Sequence, residues 1–117
     1  MLDEAIFGQV YLATGCTDLR KSIDGLAVLV KEGFKLDPFA DCLFVFCNRD
    51  RNKLKILHWQ VNGFWLYYRR LERGKFEWPA NGNSVTAISR RELRWLLDGL
   101  PMKQKHAHRE VTARTVL

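Results

Sequence analysis

CLFVFCNRDRNKLKILHWQVNGFWLYYRR, running from Cys42 to Arg70, is the stretch on which the fold turns. Its first six residues, Cys42 to Cys47, are apolar on both alternations, as expected of a strand covered on both faces. The polar run Asn48 to Asn52 interrupts that pattern and reads as a turn, after which Lys53 to Gln60 forms the next strand. Asn62-Gly63, between Val61 and Phe64, predicts a two-residue hairpin turn, because both residues tolerate the positive φ of a type I′ turn. Phe64 to Arg70 is then the returning strand. Leu71-Glu72-Arg73-Gly74 predicts a second turn, and Lys75 to Trp78 a further short strand.

Upstream of the meander, Gln9 to Ala13 reads as a first short strand. Thr17 or Asp18 then offers a side-chain cap for a helix that begins at Leu19. Leu19, Ile23, Leu26, Ala27, Val30 and Phe34 recur at helical spacing and make one apolar stripe that ends near Gly33. Asp37-Pro38 blocks any continuation. Downstream, Ser89-Arg90-Arg91-Glu92 is a capping box, with Leu93, Leu96, Leu97 and Leu100 behind it and Gly99 and Pro101 as a stop. These elements predict a single α+β domain over residues 1–102, an antiparallel β-meander of four to five strands packed with two α-helices. Residues 103–117 carry no useful apolar period and read as a mobile basic tail.

A hydrophobic fraction of 47% excludes general disorder. Nineteen Lys and Arg against 13 Asp and Glu leave a net charge of +6, which favours acidic partners such as nucleic acid. No apolar run reaches the ~18 residues of a membrane span, and the N-terminal MLDEAIF is acidic where a signal peptide is basic, so a cytoplasmic protein is expected. Cys16, Cys42 and Cys47 are odd in number and lack a Cys-x-x-Cys pair, which indicates neither a disulfide framework nor a zinc site.

The meander topology collects the positive charge. Its two turns and three strand ends share one end, bringing together Arg49, Arg51, Lys53, Lys55, Arg69, Arg70, Arg73 and Lys75. The hairpin register puts Lys53, Lys55, Leu57 and Trp59 on one face with Phe64, Leu66, Tyr68 and Arg70. Leu54, Ile56, His58, Trp65, Tyr67 and Arg69 fall on the other, and either face fits a core. Tyr68 among these cations suits phosphate contact combined with base stacking. The same cations also suit a solvated sheet edge that resists aggregation. Arg90 and Arg91 oppose the dipole of the second helix, a conflict that either a phosphate or plain solvation relieves.

Catalytic constellations are not found. The carboxylates are scattered and mostly have structural uses in turns and caps, whereas metal-dependent strand cutting needs several of them together. His106 and His108 lack a third ligand, His58 alternates with Leu54 and Ile56 as a core residue does, and Cys47 lacks an orienting partner for nucleophilic work. No cofactor motif is present.

Three stretches, GCTDLRKSIDGLAVLV (Gly15 to Val30), DPFADCLFVFCNRDRNKLKILHW (Asp37 to Trp59) and NGFWLYYRRLERGKFEWP (Asn62 to Pro79), resemble one family. It is the TnpB, or Orf2-like, accessory proteins of the insertion-sequence-66 family of bacterial transposable elements. The residues that carry the resemblance are Thr17, Asp18, Arg20, Lys21, Asp24 and Gly25, then Asn48, Arg49, Lys55, Trp59, Gly63, Arg69, Leu71, Glu72, Gly74 and Trp78. The resemblance implies a role in transposition beside a separate transposase that cuts the strands. Two functions follow as expectations: binding of element-end DNA through the basic end of the meander, or docking onto the transposase or another accessory protein as an adaptor.

Overall fold

The computed structural model describes residues 8–80, 82 and 84–101. Among them, five strands form one sheet: β1 (Gln9–Ala13), β2 (Cys42–Cys47), β3 (Lys53–Gln60), β4 (Gly63–Arg70) and β5 (Val85–Ile88), in the order β4-β3-β2-β1-β5. Helix α1 (Ile23–Val28) continues as a π-helical turn over Leu29–Gly33, and α2 (Arg90–Leu97) follows β5. The α+β class is as the sequence predicts, and β2, β3 and β4 make the antiparallel meander. The sheet as a whole is mixed, because β1 pairs with β2 in parallel. A parallel pair needs a long crossover, and α1 supplies it.

Both faces of the sheet are covered. On one, Phe44, Phe46 and Leu57 pack with Leu26 and Val30 from α1 and its π-helical extension. On the other, Val10, Leu12, Leu43, Val45, Leu54 and Ile56 pack with Leu93 and Leu96 of α2 and with Phe76 and Trp78. The strand CLFVFC, apolar on both alternations, sits at the centre of this arrangement, and five of its six residues are buried.

Several local expectations are corrected. The first helix starts at Ile23, with Ser22 at its N-cap, and not at Leu19. Asp18 caps no helix: its carboxylate accepts the backbone N–H of Arg20 at 3.0 Å and the Arg20 guanidinium at 2.8 Å, which ties residues 18–20 into a compact loop. Lys75 to Trp78 is not a strand. Its alternation is genuine, with Phe76 and Trp78 buried and Lys75 and Glu77 exposed, but it crosses the α2 face outside the sheet. Trp78 Nε1 anchors it by donating to the Ala13 carbonyl at 2.9 Å. The fifth strand is instead Val85–Ile88, antiparallel to β1.

The hairpin turn lies one residue earlier than Asn62-Gly63. Gln60 pairs with Gly63, so Val61 and Asn62 form the turn. Positive φ falls on Val61 (58°), and Gly63 is not in that region. Relative to the expected pairing, Phe64 moves two residues along β3, from Val61 to Trp59. An even shift leaves every side chain on its expected face. The capping box of α2 forms in full: Ser89 Oγ accepts from Glu92 N at 3.0 Å, and Glu92 Oε1 accepts from Ser89 N at 2.8 Å. The expected tail at 103–117, with His106 and His108, lies outside the described residues.

Candidate nucleic-acid interface

Asn48 builds the turn at the end of β2. Its Oδ1 accepts from Asn52 N and Lys53 N, both at 3.1 Å, and its Nδ2 donates to Asn52 Oδ1 at 2.8 Å. One side chain thus replaces the ladder bonds that the turn interrupts. Arg51 takes a positive φ of 61° there, and its carbonyl accepts from Phe76 N at 2.7 Å. The Asn52 carbonyl accepts from Leu71 N at 2.8 Å. These two bonds bring the segment after β4 against the β2–β3 turn, the convergence that the meander topology requires.

A third segment joins them from the opposite end of the sequence. Because β1 and β2 are parallel, their carboxyl ends, Ala13 and Cys47, lie at the same end of the sheet. The loop leaving β1 therefore descends beside the β2–β3 turn and is fastened there by Thr17 N donating to the Cys47 carbonyl at 2.8 Å. Lys55 Nζ reaches across from β3 to the Leu19 carbonyl at 2.5 Å.

Between these segments is a cleft of about 710 Å³, with Arg20, Arg49, Lys53, Lys55 and Tyr68 in its lining. Asp18 and Asp50 are also there, so four cations face two carboxylates. The Asp18 carboxyl is held far below the usual carboxylate range, chiefly by the hydrogen bond from the Arg20 side chain and then by that from the Arg20 backbone. It stays ionised at any working pH and stores no proton for acid catalysis. At the inner edge Lys53 stands directly opposite Arg70 across the β3–β4 ladder. Opposed like charges on neighbouring strands are unfavourable. Glu72 offsets part of this with a 2.8 Å ion pair to Arg70 Nε.

Of the nine residues that the sequence singles out, Arg49, Lys53, Lys55 and Tyr68 line this cleft. Arg70 lies on the same face, held by Glu72. Arg51 is half-buried in the turn, and Arg73 and Lys75 are exposed on the neighbouring loop. Arg69 points to the other face, where its Nε donates to the Leu97 carbonyl at 2.6 Å and pins the C-terminal end of α2 to β4. Arg20 was missed as a site residue. The strand–helix–strand order of β1, α1 and β2 is the signal that locates it, since that order is the mark of a parallel pair.

Other chemistry has little support. The Cys47 thiol is pushed up to about 12, chiefly by burial, so it carries no thiolate near neutrality. His58 is buried in the sheet, with its Nε2 3.7 Å from Asp41 Oδ1. Among the described residues, no group of three or more His, Cys, Asp or Glu is placed to hold a metal ion. No helix among them is long and apolar enough to cross a membrane.

The family profile of the IS66 Orf2-like proteins matches residues 8–107. The chain belongs to that family. The IS66 Orf2-like assignment makes it an accessory protein of transposition. Two relatives come from Sinorhizobium fredii (strain NBRC 101917 / NGR234). The uncharacterised protein y4hO is 40% identical over 92 residues, 79% of this chain and 80% of the relative. The uncharacterised protein y4jC is 30% identical over 92 residues, 79% of each. No solved structure matches the IS66 Orf2-like chain.

Proposed function

We propose that this IS66 Orf2-like protein is a non-catalytic accessory factor that holds the phosphates of element-end DNA at the cleft beside the β2–β3 turn. The observation that carries the reading is the assembly around one cleft of Arg20, from the loop after β1, with Arg49, Lys53 and Lys55, from the β2–β3 turn and the start of β3. Cations kept only to protect a sheet edge need no such convergence. Lys53 opposite Arg70 supports the same reading, because a phosphate between them removes a repulsion that folding alone leaves in place.

The test is a salt titration of DNA binding. Neutralising about four duplex phosphates gives a slope of log K against log salt near −3.6, and each cation removed reduces its magnitude by about 0.9. Arg20→Gln, Arg49→Gln and Lys53→Gln together should weaken binding to all sequences and flatten the slope, with an unchanged melt. Lys55 is left intact because it braces the Leu19 carbonyl. A parent protein with no salt-dependent affinity for DNA would refute the proposal.

One observation favours a second reading, a protein adaptor. At the opposite end of the hairpin, Phe39 packs on Trp59 and Phe64 with ring centroids 5.0 and 5.5 Å apart, yet remains 56% exposed. Trp65 on the other face is 54% exposed. Exposed aromatic clusters of this kind suit a protein partner such as the transposase or another accessory protein of the element. In that case Phe39→Ser and Trp65→Ser would abolish association with the transposase while the triple cleft variant retains it.

A further inference from the structure

We infer that the cleft takes an unpaired DNA strand in preference to a duplex, with a base stacked on Tyr68 and its flanking phosphates on Arg20, Arg49 and Lys53. The inference rests on the phosphate-binding reading above and adds the form of DNA that is bound. It follows from shape first. Duplex sequences are read by a helix or a two-stranded ribbon that protrudes into a groove roughly 12 Å wide. Here the cations surround a recess, whose walls are the β1–α1 loop, the β2–β3 turn and the face of β3 and β4. Its volume of about 710 Å³ lies within the ~300–1,000 Å³ of pockets that enclose small organic ligands. An unpaired nucleotide can enter such a recess, whereas a duplex can lay only its backbone phosphates along the rim.

Chemistry agrees with shape. Tyr68 is 55% exposed although its strand neighbours Leu66 and Tyr67 are half-buried, and it stands directly opposite Lys55 in the ladder. An aromatic side chain left open to solvent among cations is the arrangement of single-strand sites, where rings take successive bases and the charged groove follows the backbone. The lining also discriminates against a non-specific polyanion surface. Asp18 and Asp50 interrupt the positive field, so phosphates are accepted at particular points and not along a continuous stripe.

The experiment compares one mixed-sequence oligonucleotide of about 12 nucleotides, within the usual site size, as a single strand and as its annealed duplex, by fluorescence anisotropy. The single strand should bind about tenfold tighter or more, as the gain of a base stack requires. Tyr68→Leu should weaken single-strand binding by about 5- to 150-fold, the range for loss of one stacked base, and leave duplex binding unchanged. Tyr68→Phe should keep the parent's preference, because stacking needs the ring and not the hydroxyl. A 2-aminopurine base in the strand should be quenched by the parent and not by Tyr68→Leu. Equal affinity for strand and duplex, or a Tyr68→Leu variant that loses both alike, would overturn the single-strand inference while the phosphate reading stands. Salt-independent binding, or no binding, of either form would overturn the phosphate reading itself. Tighter binding of the same sequence as RNA would overturn the assignment to DNA.

Discussion

Gly15→Ala tests the point from which the cleft wall is suspended. Gly15 has a φ of +75°, and a Cβ built there meets the Gly82 Cα at 2.7 Å. Its N–H donates to the Pro79 carbonyl at 2.9 Å, so the close approach is fixed from both sides. Two costs add. Placing an L side chain at positive φ costs about 1–2 kcal/mol. Overlap with a backbone atom cannot be relieved by rotating a side chain, and forcing such a contact costs about 1–3 kcal/mol. Restriction of the unfolded chain by alanine returns about 0.4–1 kcal/mol. The net loss is about 1–4.6 kcal/mol, which for a domain of this size lowers the melting temperature by roughly 4–37 °C. Thermal melts by circular dichroism measure it directly. Gly82→Ala is the control, because nothing lies within 4 Å of its Cβ and its φ is ordinary, so it should melt like the parent. A Gly15→Ala protein melting within about 3 °C of the parent would refute both the close approach and the left-handed backbone assigned to this loop.

Three further substitutions probe other parts of the fold. Ser89→Ala should destabilise the protein by about 1 kcal/mol through loss of the oxygen that accepts from Glu92 N, measured by denaturant titration. At the hairpin, Val61→Asn should stabilise by about 0.5–1 kcal/mol, because a β-branched residue is poorly suited to the φ of 58° that Asn tolerates. Gly63→Val should be near neutral, since the position is open and not at positive φ; a large loss there would return the turn to Asn62-Gly63. Cys47 makes stability depend on alkaline pH. Burial raises its folded-state pKa to about 12 from an ordinary value near 9, so the unfolded thiol ionises first and stability falls as pH rises from about 9 towards 12. Cys47→Ala, which removes a buried core side chain, should melt below the parent at pH 8, and the difference should shrink at pH 10.5, where only the parent loses stability through this thiol.

What the sequence reveals depends on whether a signal is local. Gln9–Ala13, Cys42–Cys47 and Lys53–Gln60 have their predicted bounds, and the α2 cap is as expected, because each rests on a pattern a few residues long. The failures are those of long-range pairing. Phe76 and Trp78 alternate correctly with Lys75 and Glu77, but alternation reports only burial on one side, and here the segment lies on the sheet rather than within it. Val85–Ile88 is four residues long and gains its ladder only from β1, more than seventy residues away. The turn shifted because Asn62-Gly63 is a strong local preference that the strand register outweighs. The basic end was legible from topology alone, while Arg20 was not, since its place depends on β1 lying parallel to β2.

That parallel pair also explains why the candidate site is where it is. With α1 on one face and α2 with Phe76 and Trp78 on the other, the sheet keeps little open face beyond the outer part of β3 and β4, and its ends and edges meet solvent broadly. In sheets with parallel strands, binding crevices form beyond the carboxyl ends, where successive connections part. Here the connection after β1 goes to α1, and the one after β2 goes directly to β3. The cleft lies where these two connections diverge, with Arg20 from the first, Arg49 from the second, and Lys53 and Lys55 from β3 beside them. The aromatic group of Phe39, Trp59 and Phe64 lies at the other end of the same hairpin, about 20–25 Å away at ~3.4 Å per residue. On the proposed function, the cationic cleft and the aromatic group at opposite ends of one hairpin would let DNA and a protein partner be held together without competing.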